Sequence, residues 1–156
     1  MLIFKALHIL SMITMITIFS GGEFSYAFAI WRRDVRALAS LHRMEKQSRS
    51  GIVGLVALLA GIAFGLLTAA TGGLDFFEGW LIAAYVLVAV FFVNVALSAR
   101  TLIRLGDESM EADAGQRPVE EVVRDMVASR GRAVLFFAVN VAIFAAIILD
   151  MVLKPF

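Results

Sequence analysis

The sequence predicts an all-α integral membrane protein, a four-helix transmembrane bundle forming a single domain over residues 1–156. Three observations point to it. Hydrophobic residues make up 61% of the chain and charged residues only 17%, where soluble domains carry about a quarter charged. The mean hydropathy is +0.89. The apolar residues also gather into four runs, Leu2–Trp31, Gly51–Thr71, Gly79–Arg100 and Arg132–Leu153.

The last three runs hold 21 or 22 residues. At 1.5 Å per residue each matches a hydrocarbon core about 30 Å thick. The first run is longer, roughly 45 Å as a helix, so it must tilt, project from the bilayer or bend at Gly21-Gly22. A signal peptide is the competing expectation there, since Ala27-Phe28-Ala29 resembles a cleavage site. The apolar run before it is too long for one, and Trp31-Arg32-Arg33 has the form of an interfacial anchor with a stop signal.

The charges set the expected orientation. Arg32, Arg33, Arg36, Arg43, Lys46 and Arg49 lie in the first loop, and Arg100, Arg104, Arg117, Arg124, Arg130 and Arg132 lie at or between the ends of the third and fourth runs. Only Lys5 and Lys154 lie toward the other side. The positive-inside rule therefore makes loops 32–50 and 101–131 cytoplasmic. It places both termini on the outer, periplasmic side of an inner cell membrane.

Between the runs, the first loop carries Val35, Leu38 and Leu41 among charges, so it continues the first helix or lies on the membrane surface. Gly54, Ala57, Gly61 and Gly65 form a small-residue stripe on the second span, a surface that lets helix backbones approach closely. Gly72-Gly73 ends that helix. Residues 106–118 read as an acidic, mobile stretch. Pro118 is placed to start a helix in which Val119, Val122, Val123, Met126 and Val127 recur at amphipathic spacing. Ala138, Ala142 and Ala146 repeat the small-residue theme on the fourth span.

Several chemistries are excluded. There are no cysteines, hence no disulfides, thiolate metal sites or cysteine nucleophiles. The sequence has no phosphate-binding loop, serine-hydrolase elbow or paired-histidine zinc motif. A net charge of +1 gives no general attraction to nucleic acid. The lipid bilayer is the expected partner, and the small-residue stripes permit self-association or docking in a membrane complex.

The ionisable residues of the first run, Lys5, His8, Glu23 and Tyr26, fall in one stripe at 100° per residue together with Met12, Met15 and Phe19. A membrane helix turns such a stripe toward protein. By depth, Glu23, Asn94 and Asn140 fall about 10–13 Å from the cytoplasmic ends of their helices, a single polar layer. Arg100 or Arg104 is within reach of Glu23 from below. Lys5, His8 and Asp150 share a depth near the outer side, where Lys5 and Asp150 can pair. Buried asparagines in membrane bundles often only bond helix to helix. A carboxyl at the depth of Glu23 is either neutral or paired. His42, in a basic loop, is expected in solvent.

His8 carries the sharpest expectation. A neutral imidazole in an apolar helix is a good ligand for haem iron or copper, and His8 with Met12 and Met15 forms a plausible Cu(I) set. The plainer alternative is a histidine bonded to a nearby backbone group, with the methionines as packing.

Lys5-Ala6-Leu7-His8-Ile9, the Gly-Gly step before basic residues, Gly61-Ile62, Gly65-Leu66 and Gly79-Trp80-Leu81 together resemble one superfamily. It comprises the HemJ-type protoporphyrinogen oxidases, the copper-resistance D proteins and related four-span membrane proteins. The resemblance covers about residues 1–105. It implies haem b bound through His8, with Met12 or a residue on another helix as partner and Glu23 and Tyr26 lining the same face. It would serve electron or proton transfer. The oxidases also use a lysine near the start of the third span and a tryptophan in the first helix. This chain has neither, with Trp80, Leu81, Ile82 and Ala83 at the first place and no tryptophan from Thr14 to Phe19. The alternatives are a non-enzymatic copper-handling protein using His8, Met12 and Met15, and a cofactor-free structural or accessory subunit.

Overall fold

A computed structural model of the protein describes residues 2–153. Lys154 lies outside them. Five helices follow in order: α1 Leu2–Arg32, α2 Val35–Ser48, α3 Ser50–Gly72, α4 Gly79–Asp113 and α5 Val119–Leu153. All but α2 are long and apolar enough to cross a membrane. The protein is an all-α membrane bundle, as its composition and run lengths predict.

α1 is continuous for 31 residues, through Gly21 and Gly22. Its length is about 46 Å, so the excess over the bilayer is met by tilt or projection and not by a break. It ends where Arg33 turns to φ 59° and Asp34 caps the next helix, its Oδ1 accepting from the Ala37 N–H at 2.9 Å. Residues 35–48 therefore form a helix of their own and do not continue α1. Val35, Leu38, Ala39 and His42 make its buried face, which packs on the extension of α4.

α4 and α5 each run 35 residues, well past the apolar runs, and this corrects the expectation of a mobile stretch over 106–118. Residues 106–113 are helical, and only 114–118 form the turn, with Gly115 at φ 73°. Leu105, Gly106, Ser109 and Ala112 are all buried. On α5, Val122 and Met126 are fully buried beside them, and the helix continues through Gly131 into the membrane. The acidic residues have a definite use as well. Glu108, Glu111, Glu121 and Asp125 surround the Arg117 guanidinium at 3.5–3.9 Å.

Within the bundle α1 lies against α3 and α5, and α4 lies against α5 and α2. The α1–α3 contact uses the predicted glycine stripe. A Cβ on Gly54 would stand 3.0 Å from the Phe19 ring, and one on Gly61 2.8 Å from Met12 Sδ. The alanine stripe of α5 behaves differently: Ala138 and Ala142 are exposed, while Asn140, Ile143, Phe144 and Ile147 face inward. α3 ends as expected, Gly73 adopting φ 70° and donating its N–H back to Ala69 and Ala70. α1 and α4 meet through long side chains, such as Phe19 edge-on to Phe91 at 5.8 Å, and not by close backbone approach.

Candidate functional site

The polar stripe of α1 does turn inward. Met15, Glu23 and Tyr26 are buried, His8, Met12 and Phe19 are half-buried, and only Lys5 is exposed. The structure splits the stripe into two groups with different surroundings.

Glu23, 9% exposed, sits where α1 faces α4 and α5. Its Oε2 accepts from Asn140 Nδ2 at 2.6 Å and its Oε1 from the Ser98 hydroxyl at 3.1 Å. Asn140 Oδ1 in turn accepts from Asn94 Nδ2 at 2.8 Å, which also donates to the Phe136 carbonyl at 3.0 Å. Glu23, Asn94 and Asn140 thus form the polar layer their depths predict. Ser98 completes it, one turn beyond Asn94 on the same face of α4. That spacing was sufficient to find it. Among the described residues no cation pairs with Glu23: Arg104 pairs with Glu108 at 2.9 Å and approaches Asp125 at 3.9 Å, and Arg100 is exposed.

One turn on, the buried Tyr26 hydroxyl donates to Glu45 Oε2 at 2.6 Å and lies 2.8 Å from His42 Nδ1. His42 Nε2 is 3.0 Å from Asp107 Oδ1, which also accepts from Lys46 Nζ at 2.5 Å. His42 is 3% exposed, which corrects its expected place in solvent. Asp107 lies beyond the apolar run of α4. Its carboxyl is held below the usual carboxylate range, chiefly by the Lys46 hydrogen bond; burial, the next-largest effect, opposes this, and the His42 hydrogen bond adds to the lowering.

A cavity of about 440 Å³ joins the two clusters. Buried Glu23, Tyr26 and Ser98 form its floor, and exposed Gly21, Gly22, Met44, Glu45, Ser48 and Gly51 form its rim. It lies between α1 and α4, where the backbones stay apart, and α2 closes its lower side.

His8 belongs to the other group. Its Nδ1–H donates to the Gly61 carbonyl at 2.7 Å, and its ring lies over Gly65, where a Cβ would stand 3.0 Å from Nδ1. The Met12 thioether packs on Gly61, and Met15 is in the core with Leu58, Phe91 and Phe144. His8, Met12 and Met15 line none of the cavity between α1 and α4. Of the four residues expected around one cofactor, Glu23 and Tyr26 line this cavity, and His8 and Met12 do not. Among the described residues, no three of His, Asp or Glu are grouped so as to hold a metal ion. For a haem, the chain offers one fitting feature: a Nδ1–H held by a carbonyl leaves Nε2 with its lone pair. Among the described residues the outer pair of Lys5 and Asp150 is not formed, and Asp150 Oδ2 is buried with no hydrogen-bond partner there.

The fold and the polar layer define a small polytopic integral membrane protein with a carboxyl buried between its helices. The chain belongs to the family described as "Predicted integral membrane protein (DUF2269)", whose model matches residues 2–155. That match supports a membrane-protein family and does not single out the HemJ-type oxidases or the copper-resistance D proteins. No curated protein and no solved structure matches the chain.

Proposed function

We propose that the protein takes up and releases a proton at Glu23, within the membrane, from the side on which the basic loops lie. The position of the Ser98 hydroxyl carries this conclusion. It stands 3.1 Å from Glu23 Oε1 and 3.0 Å from the Val95 carbonyl, and it has one proton to donate. With that proton turned to Glu23, Ser98 and Asn140 together solvate a carboxylate. With it turned to Val95, the Ser98 oxygen accepts from a protonated Glu23. Both states keep their hydrogen bonds with the heavy atoms in place. Neither leaves a buried polar group unpaired, a cost of about 1–3 kcal/mol.

Access fits the same role. Glu23 floors a cavity whose rim is exposed, and Tyr26, His42 and Asp107 lead from that floor toward the surface. The positive-inside rule puts this end in the cytoplasm and both termini outside, in the cell membrane.

Infrared difference spectroscopy across a pH titration of the reconstituted protein tests the proposal. The expected result is a carboxylic-acid band that grows as pH falls, is missing from Glu23→Gln and moves in frequency in Ser98→Ala. A titration without any band assignable to Glu23 overturns it.

One observation favours a second function, haem binding as in the HemJ-type proteins: the carbonyl-held Nδ1–H of His8. A visible spectrum of the purified protein, oxidised and reduced, beside His8→Ala decides it. A Soret band lost in the variant establishes haem on His8. A flat spectrum from haem-replete cells removes it, and metal analysis of the same sample then decides copper.

A further inference from the structure

Resting on the assignment of Glu23 as a proton site, we propose that the cavity above it binds a lipophilic ammonium ion. The occupant is a hydrophobic amine in its charged form, and its arrival displaces the proton of Glu23 to water.

The charges around the cavity point to this class. The end of the bundle that holds the cavity is rich in arginine, yet no Lys, Arg or His lines it. Its two ionisable carboxyls are Glu23 and Glu45. Nearby acids have cationic partners: Asp107 has Lys46, Glu108 has Arg104, Asp113 has Arg43, and Asp125 and Glu121 have Arg117. Among the described residues Glu23 and Glu45 make no ion pair, and their partners are neutral donors. Two carboxyls without a cationic partner among the described residues, Glu23 buried on the floor and Glu45 at the exposed rim, favour a cationic occupant.

The walls define the rest of it. Ile18, Leu41, Met44, Val95 and Leu102 are apolar, and Phe19 and Tyr26 add aromatic rings to the lining. The wall is mostly apolar, which suits a cation with an apolar body better than a bare inorganic ion. The ammonium of an aminophospholipid would bring a phosphate that meets no positive group. A free amine with an apolar body suits both the floor and the walls, in a cavity of ordinary size for a small-molecule site. Replacing a proton by an ammonium at Glu23 leaves the charge of the site unchanged.

The test uses the full-length protein in lipid nanodiscs and three fluorescent probes of one shape: 1-naphthylmethylammonium, the corresponding naphthylmethanol and the corresponding naphthoate. Anisotropy titrations are run with a pH indicator present. The expected result is that the ammonium binds at least about tenfold more tightly than the alcohol, a difference of about 1.4 kcal/mol, with release of protons. The naphthoate does not bind. Glu23→Gln and Glu45→Gln each remove the preference for the cation. Gly22→Leu is the second variant: Gly22 shares a helix face with Phe19 and Tyr26, and a Cβ there meets nothing within 4 Å. The leucine projects into the cavity that Gly22 lines and is expected to abolish binding.

Equal binding of ammonium and alcohol overturns the proposal, as does undiminished ammonium binding in both Gln variants or in Gly22→Leu. If the wild type binds no probe while the infrared band of Glu23 is present, the ammonium site falls and the proton site stands. If that band is absent, the proton site itself falls.

Discussion

Gly106 of α4 lies directly beneath the imidazole of His42 of α2, so close that a Cβ on the glycine would stand 2.5 Å from the ring. The ring cannot back away. Tyr26 holds one nitrogen and Asp107 the other, and Leu38 and Ala39 beside it are fully buried. This pairing fixes the docking of α2, and with it the lower wall of the cavity.

Gly106→Ala is therefore expected to loosen α2, at about 1–3 kcal/mol for the overpacked methyl. Faster hydrogen exchange over residues 35–48, with a lowered thermal midpoint, is the measured outcome. Gly131→Ala is the control. Gly131 is helical and has open space around it, so an added methyl should stabilise by about 0.5–1 kcal/mol. Equal effects at the two glycines would mean that His42 does not need the notch.

The Glu23 layer predicts an order among its bonds. Side-chain hydrogen bonds in membrane bundles couple by about 0.6 kcal/mol on average and by about 1.7 at most. Asn140 gives Glu23 its shortest bond, at 2.6 Å and fully buried, so that pair belongs near the upper figure. The neutral Asn94–Asn140 pair, at 2.8 Å, belongs near the average. Double-mutant cycles of Glu23→Gln with Asn140→Ala, and of Asn94→Ala with Asn140→Ala, measure both in lipid. A Glu23–Asn140 coupling no larger than the other contradicts the assignment of Glu23 as the charged centre of the layer.

Much of this was legible in the sequence. Apolar run length located the four membrane helices because the bilayer imposes a length on any helix that crosses it. Gly54, Gly61 and Gly65 marked a face of close helix approach because only a small residue permits it, and the structure places α1 there. Glu23, Asn94 and Asn140 were placed together by depth alone. What stayed hidden was the packing at the basic end. There the buried face of α4 is made of Leu105, Gly106, Ser109 and Ala112. Three of these are small or polar, so hydropathy does not mark the face, and the acidic residues between them mimic a solvated loop. His42 was hidden for a related reason. Its local neighbours are charged, and its burial comes from Asp107 and Gly106, 65 and 64 residues along the chain.

The glycine stripe itself predicts unequal costs. A methyl at Gly61 would meet the flexible end of Met12, which can swing aside, so Gly61→Ala should be mild and Met12→Ala should relieve what cost there is. A methyl at Gly65 would meet the His8 ring at 3.0 Å, and that ring is tied to the Gly61 carbonyl. Gly65→Ala should therefore cost about 1 kcal/mol or more, and His8→Ala should reverse it. Thermal unfolding of the four variants and the Gly65→Ala, His8→Ala pair checks the order. A larger loss at Gly61 than at Gly65 would show that His8 moves freely.

The last expectation concerns acid. Lys46, first, and His42 favour the charged form of Asp107, so its folded carboxyl titrates below its unfolded value of about 3.9. A lowered carboxylate stabilises the fold above the unfolded value, and that contribution is lost as pH falls through the lower, folded one. The difference in α2 docking between wild type and Asp107→Asn should accordingly be constant near neutrality and shrink to nothing in stronger acid. It will be small throughout, because the Asp107 side chain is 47% exposed, and it will weaken further in high salt. Lys46→Ala should move the loss to higher pH. Hydrogen exchange of the α2 amides against pH measures all three, and a wild-type difference that grows on acidification would reverse the assigned sign.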